Sequence, residues 1–141
     1  MLFRSNKIGV MGFSAGGHLA SLLGTNFQEN AYEAGDAIDQ VSCRPDFMIL
    51  GYGAVELSQA ARVTAETPPT FLFCTSDDPS VPPQRSVNFY LALQKAKVPA
   101  EMHVYESGGH GYGLGVRGGS VANWPIRCAD WMRARGLLDK N

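Results

Sequence analysis

The chain has 141 residues, the size of one domain, and we expect residues 1–141 to form a single minimal domain. Hydrophobic residues make up 45% of it and charged residues 18%, proportions that are ordinary for a globular protein. A formal net charge of -1 argues against nucleic acids or anionic membranes as partners. No apolar run approaches the ~20 residues that span a bilayer. Residues 1–7 lack the apolar stretch and cleavage site of a signal peptide, so the sequence predicts a cytoplasmic protein.

The first half of the chain begins with a predicted strand that runs straight into a glycine-rich turn. The strand covers residues 7–13, and a helix follows over residues 18–23. The apolar side of this helix comprises Leu19, Leu22 and Leu23, and its end is marked by Gly24 and Asn26. Residues 25–45 are polar and irregular. Residues 47–50 form a continuous apolar run that is typical of a strand covered on both faces.

The second half contains the strongest predicted strand and the clearest helices. Residues 54–67 have room for one short helix, and residues 70–75 form the strongest strand. A helix over residues 83–97, a strand over residues 101–105 and a helix over residues 123–135 follow. The apolar faces of these two helices are Phe89, Leu93 and Ala96 in the first and Trp124, Cys128 and Trp131 in the second. This succession of elements predicts an α/β fold with a mostly parallel sheet.

The cysteines and histidines indicate neither a disulfide framework nor a metal site. The cysteines Cys43, Cys74 and Cys128 are far apart in the chain and odd in number. We expect Cys74 and Cys128 to be free, buried thiols, because both fall in apolar patterns. No two histidines have the spacing of a metal-binding pair such as HExxH. No metal or cofactor is therefore expected.

The sequence GFSAG at residues 12–16 is a G-x-S-x-G motif with a predicted strand before it and a helix after it. A serine in this position lies on a sharp, strained turn where bulky neighbours would collide. Ser14 is the predicted nucleophile, and the N–H of Ala15 at the start of the helix is the predicted oxyanion donor. The alternative is a glycine-rich turn with an incidental serine. A phosphate-binding loop is a poorer match, because no GKS or GKT follows.

A serine hydroxyl needs an adjacent base, and His110 is the predicted one. It lies in the sequence GGHGYG at residues 108–113, just beyond the last strand and at the same sheet edge as Ser14. His103 falls inside a strand and is expected to be structural. His18 lies one helical turn past Ser14, where it could line the pocket but is expected to pack under the turn.

The imidazole in turn needs a carboxylate to set its tautomer and stabilise its charged form. Asp78 ends the strongest strand at the same edge and is the predicted partner of His110. Its neighbour Asp77 is the rival. Asp78 is preferred because it begins the turn into the next helix, so that Asp77 would point the other way or cap the turn.

The chain order Ser14, Asp78, His110 is that of the α/β-hydrolases. Residues 8–20 resemble the nucleophile turn of bacterial esterases of the acetyl-xylan-esterase and carboxylesterase type. Residues 75–82 resemble their acid turn, and residues 108–113 their histidine loop. The resemblance covers nearly the whole chain. It implies a cofactor-independent esterase acting on small short-chain acyl esters, such as acetyl groups on carbohydrate.

Aromatic residues near these motifs are candidates for the substrate pocket. Phe13 and Tyr112 are predicted to bind substrate, and Trp124 is a third candidate. Packing inside the protein is an equally good interpretation of each of them.

The chain departs from the resemblance before Ser14. The family fold has about four strands ahead of the nucleophile turn and a loop of HGG type that supplies a second oxyanion donor. Neither is visible here, which predicts a truncated α/β-hydrolase fold with a sheet of about four strands flanked by helices. The chain is then either a minimal hydrolase or a C-terminal fragment. Loss of one oxyanion donor costs about 10²–10³ in rate, so weak activity is expected.

The same departure predicts that the first strand is a sheet edge with unpaired backbone groups. We therefore expect a homo-oligomer whose contacts cover that edge.

Two alternatives to an esterase remain open. One is a peptidase related to the catalytic domain of prolyl oligopeptidases, which share the motif and the order of the three residues. The absence of a propeller domain, which would restrict access to peptides, argues against it. The other is a catalytically silent remnant that binds or assembles. The missing oxyanion loop favours that interpretation, and the presence of all three motifs opposes it.

Overall fold

A single parallel sheet organises the protein. The computed structural model describes residues 7–29, 32–116 and 118–139. Its strands are β1 (Gly9–Phe13), β2 (Phe47–Gly51), β3 (Thr70–Thr75) and β4 (Ala100–Tyr105). They pair in parallel and in sequence order, β1-β2-β3-β4. All four predicted strands are confirmed, and their carboxyl ends meet at one edge of the sheet, where ligands bind in open α/β sheets.

Helices cover both faces of this sheet. They are α1 (Ala15–Asn26), α2 (Leu57–Ala61), α3 (Gln84–Lys95) and α4 (Trp124–Ala134), the last preceded by a 3₁₀ turn at Ser120–Asn123. On one face, α1, α2 and α3 pack on a core that includes Met48, Leu50, Leu72, Phe89 and Leu93. On the other face, α4 packs on a core that includes Phe47, Phe71, Phe73, Trp124 and Trp131. Both β2 and β3 are buried along their full length, because alternate side chains enter opposite cores.

Helix α1 differs from its prediction in length and in orientation. It begins at Ala15, directly after the serine, and continues past Gly24 to Asn26. Its buried residues are Gly17, Ala20, Ser21 and Gly24, whereas Leu19 is 66% exposed. A Cβ at Gly24 would lie 2.1 Å from Sδ of Met48, so the helix lies too close to β2 for large side chains. The predicted leucine face is therefore wrong.

Strand β1 lies at an edge of the sheet in the described part of the chain, as predicted. Ile8, just before the strand, and Met11, within it, are 61% and 50% exposed. Apolar side chains of this size on an edge strand are unusual, because they invite contact with another chain.

The cysteines are free, and Cys74 and Cys128 are buried as predicted, whereas Cys43 is exposed. Burial raises the pKa of the Cys74 and Cys128 thiols to about 11, so both stay protonated at neutral pH. Within residues 7–29, 32–116 and 118–139, no group of three or more potential ligands is placed to hold a metal ion.

The lack of a signal peptide was inferred from residues 1–7, of which all but Lys7 lie outside the described residues. Among the residues described, no helix combines the length and the apolar character that crossing a bilayer demands.

Candidate active site

Ser14 occupies a strained turn between β1 and α1. Its backbone has φ 54° and ψ -120°, a conformation that residues with a Cβ rarely adopt. Hydrogen bonds with the end of β2 and with the loop after it hold it there. The Ser14 N–H donates to the carbonyl oxygen of Gly51 at 3.0 Å, and the Ser14 carbonyl accepts from the N–H of Ala54 at 3.1 Å. The serine therefore projects from the carboxyl edge of the sheet.

The glycines around this turn are required to different degrees. A Cβ at Gly12 would lie 2.0 Å from the carbonyl oxygen of Gly16, which no side chain can tolerate without movement. At Gly16 a Cβ would meet nothing within 4 Å. The prediction that a larger neighbour of the serine would collide is therefore wrong at Gly16. Gly17, outside the motif, is restricted instead, because its Cβ would lie 2.7 Å from Cα of Gly53.

A chain of hydrogen bonds joins Ser14 to His110 and His110 to Asp78. Nε2 of His110 lies 2.8 Å from Oγ of Ser14, and Nδ1 lies 2.6 Å from Oδ2 of Asp78. The Asp78 side chain is 0% exposed and the His110 side chain 22%. The other oxygen of Asp78 accepts hydrogen bonds from the N–H groups of Ser80 at 2.8 Å and Val81 at 2.9 Å. The structure thus brings together the three residues that the sequence singled out.

The surroundings of Asp78 keep it ionised. Burial is the largest single influence and opposes ionisation, but the hydrogen bonds from His110, Val81 and Ser80 together outweigh it. The pKa of Asp78 therefore lies below its ordinary value. A carboxylate can only accept, so Nδ1 of His110 carries the proton and Nε2 is left to accept the proton of Ser14.

Asp77 lies beside Asp78 but contacts a different part of the molecule. Its carboxylate accepts hydrogen bonds from the N–H groups of Gly108 at 3.1 Å and Gly109 at 2.8 Å. The imidazole of His110 is bound by Asp78 and not by Asp77. Asp77 therefore binds the main chain of the histidine loop and not the imidazole.

Tyr52, which directly follows β2, was not among the residues singled out from the sequence. Its ring meets that of His110 edge-on, with 4.9 Å between centroids and an angle of 66°. Its hydroxyl accepts a hydrogen bond from the N–H of Gly113 at 3.3 Å. The backbone has φ 35°, which is costly for a bulky residue. Its place at the carboxyl end of a buried strand was the only signal in the sequence.

The aromatic candidates for substrate binding lie in the core next to the site. Phe13 is half-buried, and its ring centroid lies 5.7 Å from that of Tyr52 and 5.9 Å from that of Trp124. Tyr112 is 2% exposed and packs on Tyr52 at 4.7 Å. Burial raises the pKa of Tyr112, so its hydroxyl stays neutral. Phe13 and Tyr112 therefore both pack against Tyr52, which contacts His110. Their contact with substrate stays a prediction.

The other histidines have partners of their own. Nδ1 of His18 lies 3.0 Å from Nε2 of Gln59, a buried residue of α2, so His18 joins α1 to α2. Nε2 of His103 lies 2.8 Å from Oε1 of Glu101, on β4. Both imidazoles therefore have hydrogen-bond partners other than Ser14 and Asp78.

Ala15 is the first residue of α1, so its N–H has no hydrogen-bond partner within the helix. The positive end of the helix dipole lies at the same place. Ala15 therefore stays the predicted donor to the oxyanion that forms when Ser14 attacks a carbonyl group.

Comparisons with known proteins agree with this fold. The chain is 39% identical, with a TM-score of 0.88, to an acetyl ester-xyloside bifunctional hydrolase from Caldicellulosiruptor lactoaceticus, over 94% of this chain and 58% of that one. A carboxylesterase of Lactobacillus plantarum is 25% identical with a TM-score of 0.79, over 96% of this chain and 61% of that one. An acetylxylan esterase of Xylanibacter ruminicola is 29% identical over 79% of this chain and 27% of that protein.

Fold and relatives together define a protein of the α/β-hydrolase class, whose sheet here has four parallel strands. The model of the prolyl oligopeptidase family matches residues 50–135, and the chain is therefore a member of that family. A second family model, BD-FAE, matches residues 2–62. The resemblance to acetyl-xylan-esterase and carboxylesterase type proteins is confirmed. The chain spans 58% and 61% of the two solved structures and 27% of the acetylxylan esterase.

Proposed function

We propose that the protein is a serine carboxylesterase that hydrolyses short-chain acyl esters of acetyl type through an acyl-enzyme on Ser14. The observation that carries the proposal is the unbroken hydrogen-bond chain from Asp78 through His110 to Ser14. A hydroxyl held 2.8 Å from an accepting imidazole nitrogen is an activated nucleophile. Asp78 is the group that sets the tautomer of that imidazole.

In the proposed reaction, Nε2 of His110 takes the proton of Ser14 as Oγ attacks the ester carbonyl carbon. The N–H of Ala15 stabilises the oxyanion of the tetrahedral intermediate. The bond to the alcohol oxygen breaks, His110 returns the proton to the alcohol, and an acyl-Ser14 ester remains. Water then attacks this ester, with His110 as base, and releases the carboxylic acid and free Ser14. The proposed reaction requires neither a redox partner nor a cofactor.

The choice of a short acyl group follows from the relatives, which include proteins named as an acetylxylan esterase and a carboxylesterase.

Membership of the prolyl oligopeptidase family supports a second candidate, hydrolysis of peptide bonds after proline. The same three residues would carry it, because acyl transfer from an amide differs from that of an ester in the leaving group. A comparison of kcat/KM for p-nitrophenyl acetate and for a proline p-nitroanilide separates the two candidates.

The decisive experiment measures hydrolysis of p-nitrophenyl acetate and longer acyl homologues by the unmodified protein and by Ser14→Ala. Ser58→Ala is a matched control, because Ser58 is an exposed serine on α2. We expect turnover that Ser14→Ala abolishes and Ser58→Ala retains, with the fastest rates on the shortest acyl groups. Equal rates for the unmodified protein and Ser14→Ala on every ester would overturn the proposal and favour a silent, binding role.

A further inference from the structure

The carboxylate of Asp77 holds two successive backbone N–H groups immediately before His110. Oδ2 accepts from Gly108 at 3.1 Å and Oδ1 from Gly109 at 2.8 Å. The two glycines have φ 154° and φ 62°, backbone conformations that favour glycine. The hydrogen bonds from Gly109 and Gly108 also lower the pKa of Asp77, which keeps it charged.

The same short loop is held from a second direction. Oγ1 of Thr75, a fully buried residue at the end of β3, donates a 2.7 Å hydrogen bond to the carbonyl oxygen of Gly109. Both polar backbone groups of Gly109 are therefore bound to the end of one strand. Packing is also tight, because a Cβ at Gly108 would lie 2.6 Å from Cγ1 of Val121.

We propose that Asp77 is a positioning residue that holds the backbone of the histidine loop so that His110 lies between Ser14 and Asp78. The proposal rests on the proposed function of these three residues. The two adjacent aspartates have separate roles, since Asp78 binds the imidazole and Asp77 binds the main chain that carries it. Precise placement matters, because a shift of about 1 Å in a catalytic group can cost about 10²-fold in rate.

Kinetics of Asp77→Asn and Asp77→Ala test the proposal, with Asp130→Ala on α4 as the matched control because Asp130 is an exposed aspartate far along the chain. An asparagine keeps one accepting oxygen but turns an amide N–H towards one glycine N–H. We expect kcat for p-nitrophenyl acetate to fall about tenfold in Asp77→Asn and about a hundredfold in Asp77→Ala. KM should stay within about twofold in both, because the substrate contacts are unchanged.

A second readout does not depend on activity. The proton on Nδ1 of His110 lies in a 2.6 Å hydrogen bond to Asp78 and should give a low-field proton NMR signal in the unmodified protein. We expect this signal to broaden or vanish in Asp77→Ala and to persist in Asp130→Ala. If the unmodified protein and Ser14→Ala prove equally inactive on esters, the proposed function fails, whereas this signal still decides the role of Asp77.

A third measurement uses only the unmodified protein, so it holds even where a variant does not fold. The amides of Gly108 and Gly109 should exchange with deuterium more slowly than that of Gly111, an exposed glycine of the same loop. Exchange as fast as that of Gly111 would overturn the proposal. An Asp77→Ala variant with unchanged kcat and a sharp low-field signal would overturn it as well.

Discussion

The N–H of Ser14 donates a 3.0 Å hydrogen bond to the carbonyl oxygen of Gly51, the last residue of β2. This contact joins the strained serine to the neighbouring strand, and the N–H of Ala54 binds the Ser14 carbonyl from the other side at 3.1 Å. The position of the Ser14 hydroxyl therefore depends on β2 as much as on β1. Side chains that disturb the close contact of the two segments should disturb the site.

The glycines on either side of Ser14 should respond in opposite directions to alanine. Gly12→Ala forces a Cβ against the Gly16 carbonyl and should lower the free energy of unfolding by about 1–3 kcal/mol. Gly16→Ala meets nothing within 4 Å and lies in a helix, so it should raise that free energy by about 0.4–1 kcal/mol. Thermal unfolding of the two variants measures both effects, at about 2–4 °C per kcal/mol. Equal shifts in Tm would contradict the close contact at Gly12.

Replacement of the carboxylate that binds His110 should abolish most of the activity without unfolding the protein. In Asp78→Asn the amide can turn an N–H towards Nδ1, so the imidazole loses the tautomer in which Nε2 accepts a proton. We expect kcat to fall by about 10³–10⁴ with KM little changed. Steady-state kinetics beside Asp130→Asn, whose aspartate is exposed on α4, check this expectation. A loss below tenfold would mean that Asp78 does not act through His110.

Acid should destabilise the protein through the same carboxyl group. The pKa of Asp78 is lower in the folded protein than its ordinary value of 3.8, so the unfolded chain binds a proton more readily. The stability that this difference contributes is fully present above about pH 5 and is lost as the pH falls towards the folded pKa. Urea unfolding at a series of pH values from 6 to 3 should show a smaller loss of the free energy of unfolding in Asp78→Asn than in the unmodified protein. Parallel curves would rule out a contribution from Asp78.

The ring of Tyr52 should matter more than its hydroxyl. Tyr52→Phe removes only the weak 3.3 Å bond to Gly113, whereas Tyr52→Leu removes the edge contact with His110. We expect Tyr52→Phe to keep kcat within about threefold and Tyr52→Leu to lower it by about 10–100-fold. Tyr52→Leu should also lose about 1–3 kcal/mol of stability, since a buried aromatic ring is replaced by a smaller side chain. An equally large loss of kcat in both variants would place the effect on the hydroxyl, and unchanged kcat in both would contradict a role for Tyr52.

The exposed edge at β1 should make the protein self-associate. Ile8, Met11 and Leu19 are 61%, 50% and 66% exposed, and a cleft of about 600 Å³ lies between Ile8, Val10, Leu23 and Pro45. We expect a dimer or larger species in sedimentation at micromolar concentration. Met11→Lys should shift it towards monomer, whereas Val104→Lys, at the other edge strand and 48% exposed, should not. A monomeric mass for the unmodified protein would contradict the prediction.

Local patterns were sufficient to predict much of this structure. Strands β2 and β3 are short apolar runs, and β4 alternates between apolar and polar residues. Helices α3 and α4 bury the faces that their helical periodicity indicates. The candidates Ser14, Asp78 and His110 were recognisable because each lies in the turn or loop that follows a strand, and parallel strands end at one edge.

The errors lie where distant segments meet. The leucine pattern of α1 suggested its buried face, but the helix approaches β2 so closely that only small residues fit. Gly17, and not Gly16, is the second restricted glycine, because the loop after β2 passes against it. Neither contact leaves a periodic signal in the sequence.

The sequence by itself determined the order and type of the elements and the residues that can do chemistry, because periodicity and turn residues act over a few positions. Only the tertiary structure decided how those residues are used. Ser14 and His110 are 96 positions apart, and the separate contacts of Asp77 and Asp78 arise from the path of a loop about thirty residues later. The contact of Tyr52 with His110 has the same cause, because close packing brings together segments whose local sequences do not indicate that they meet.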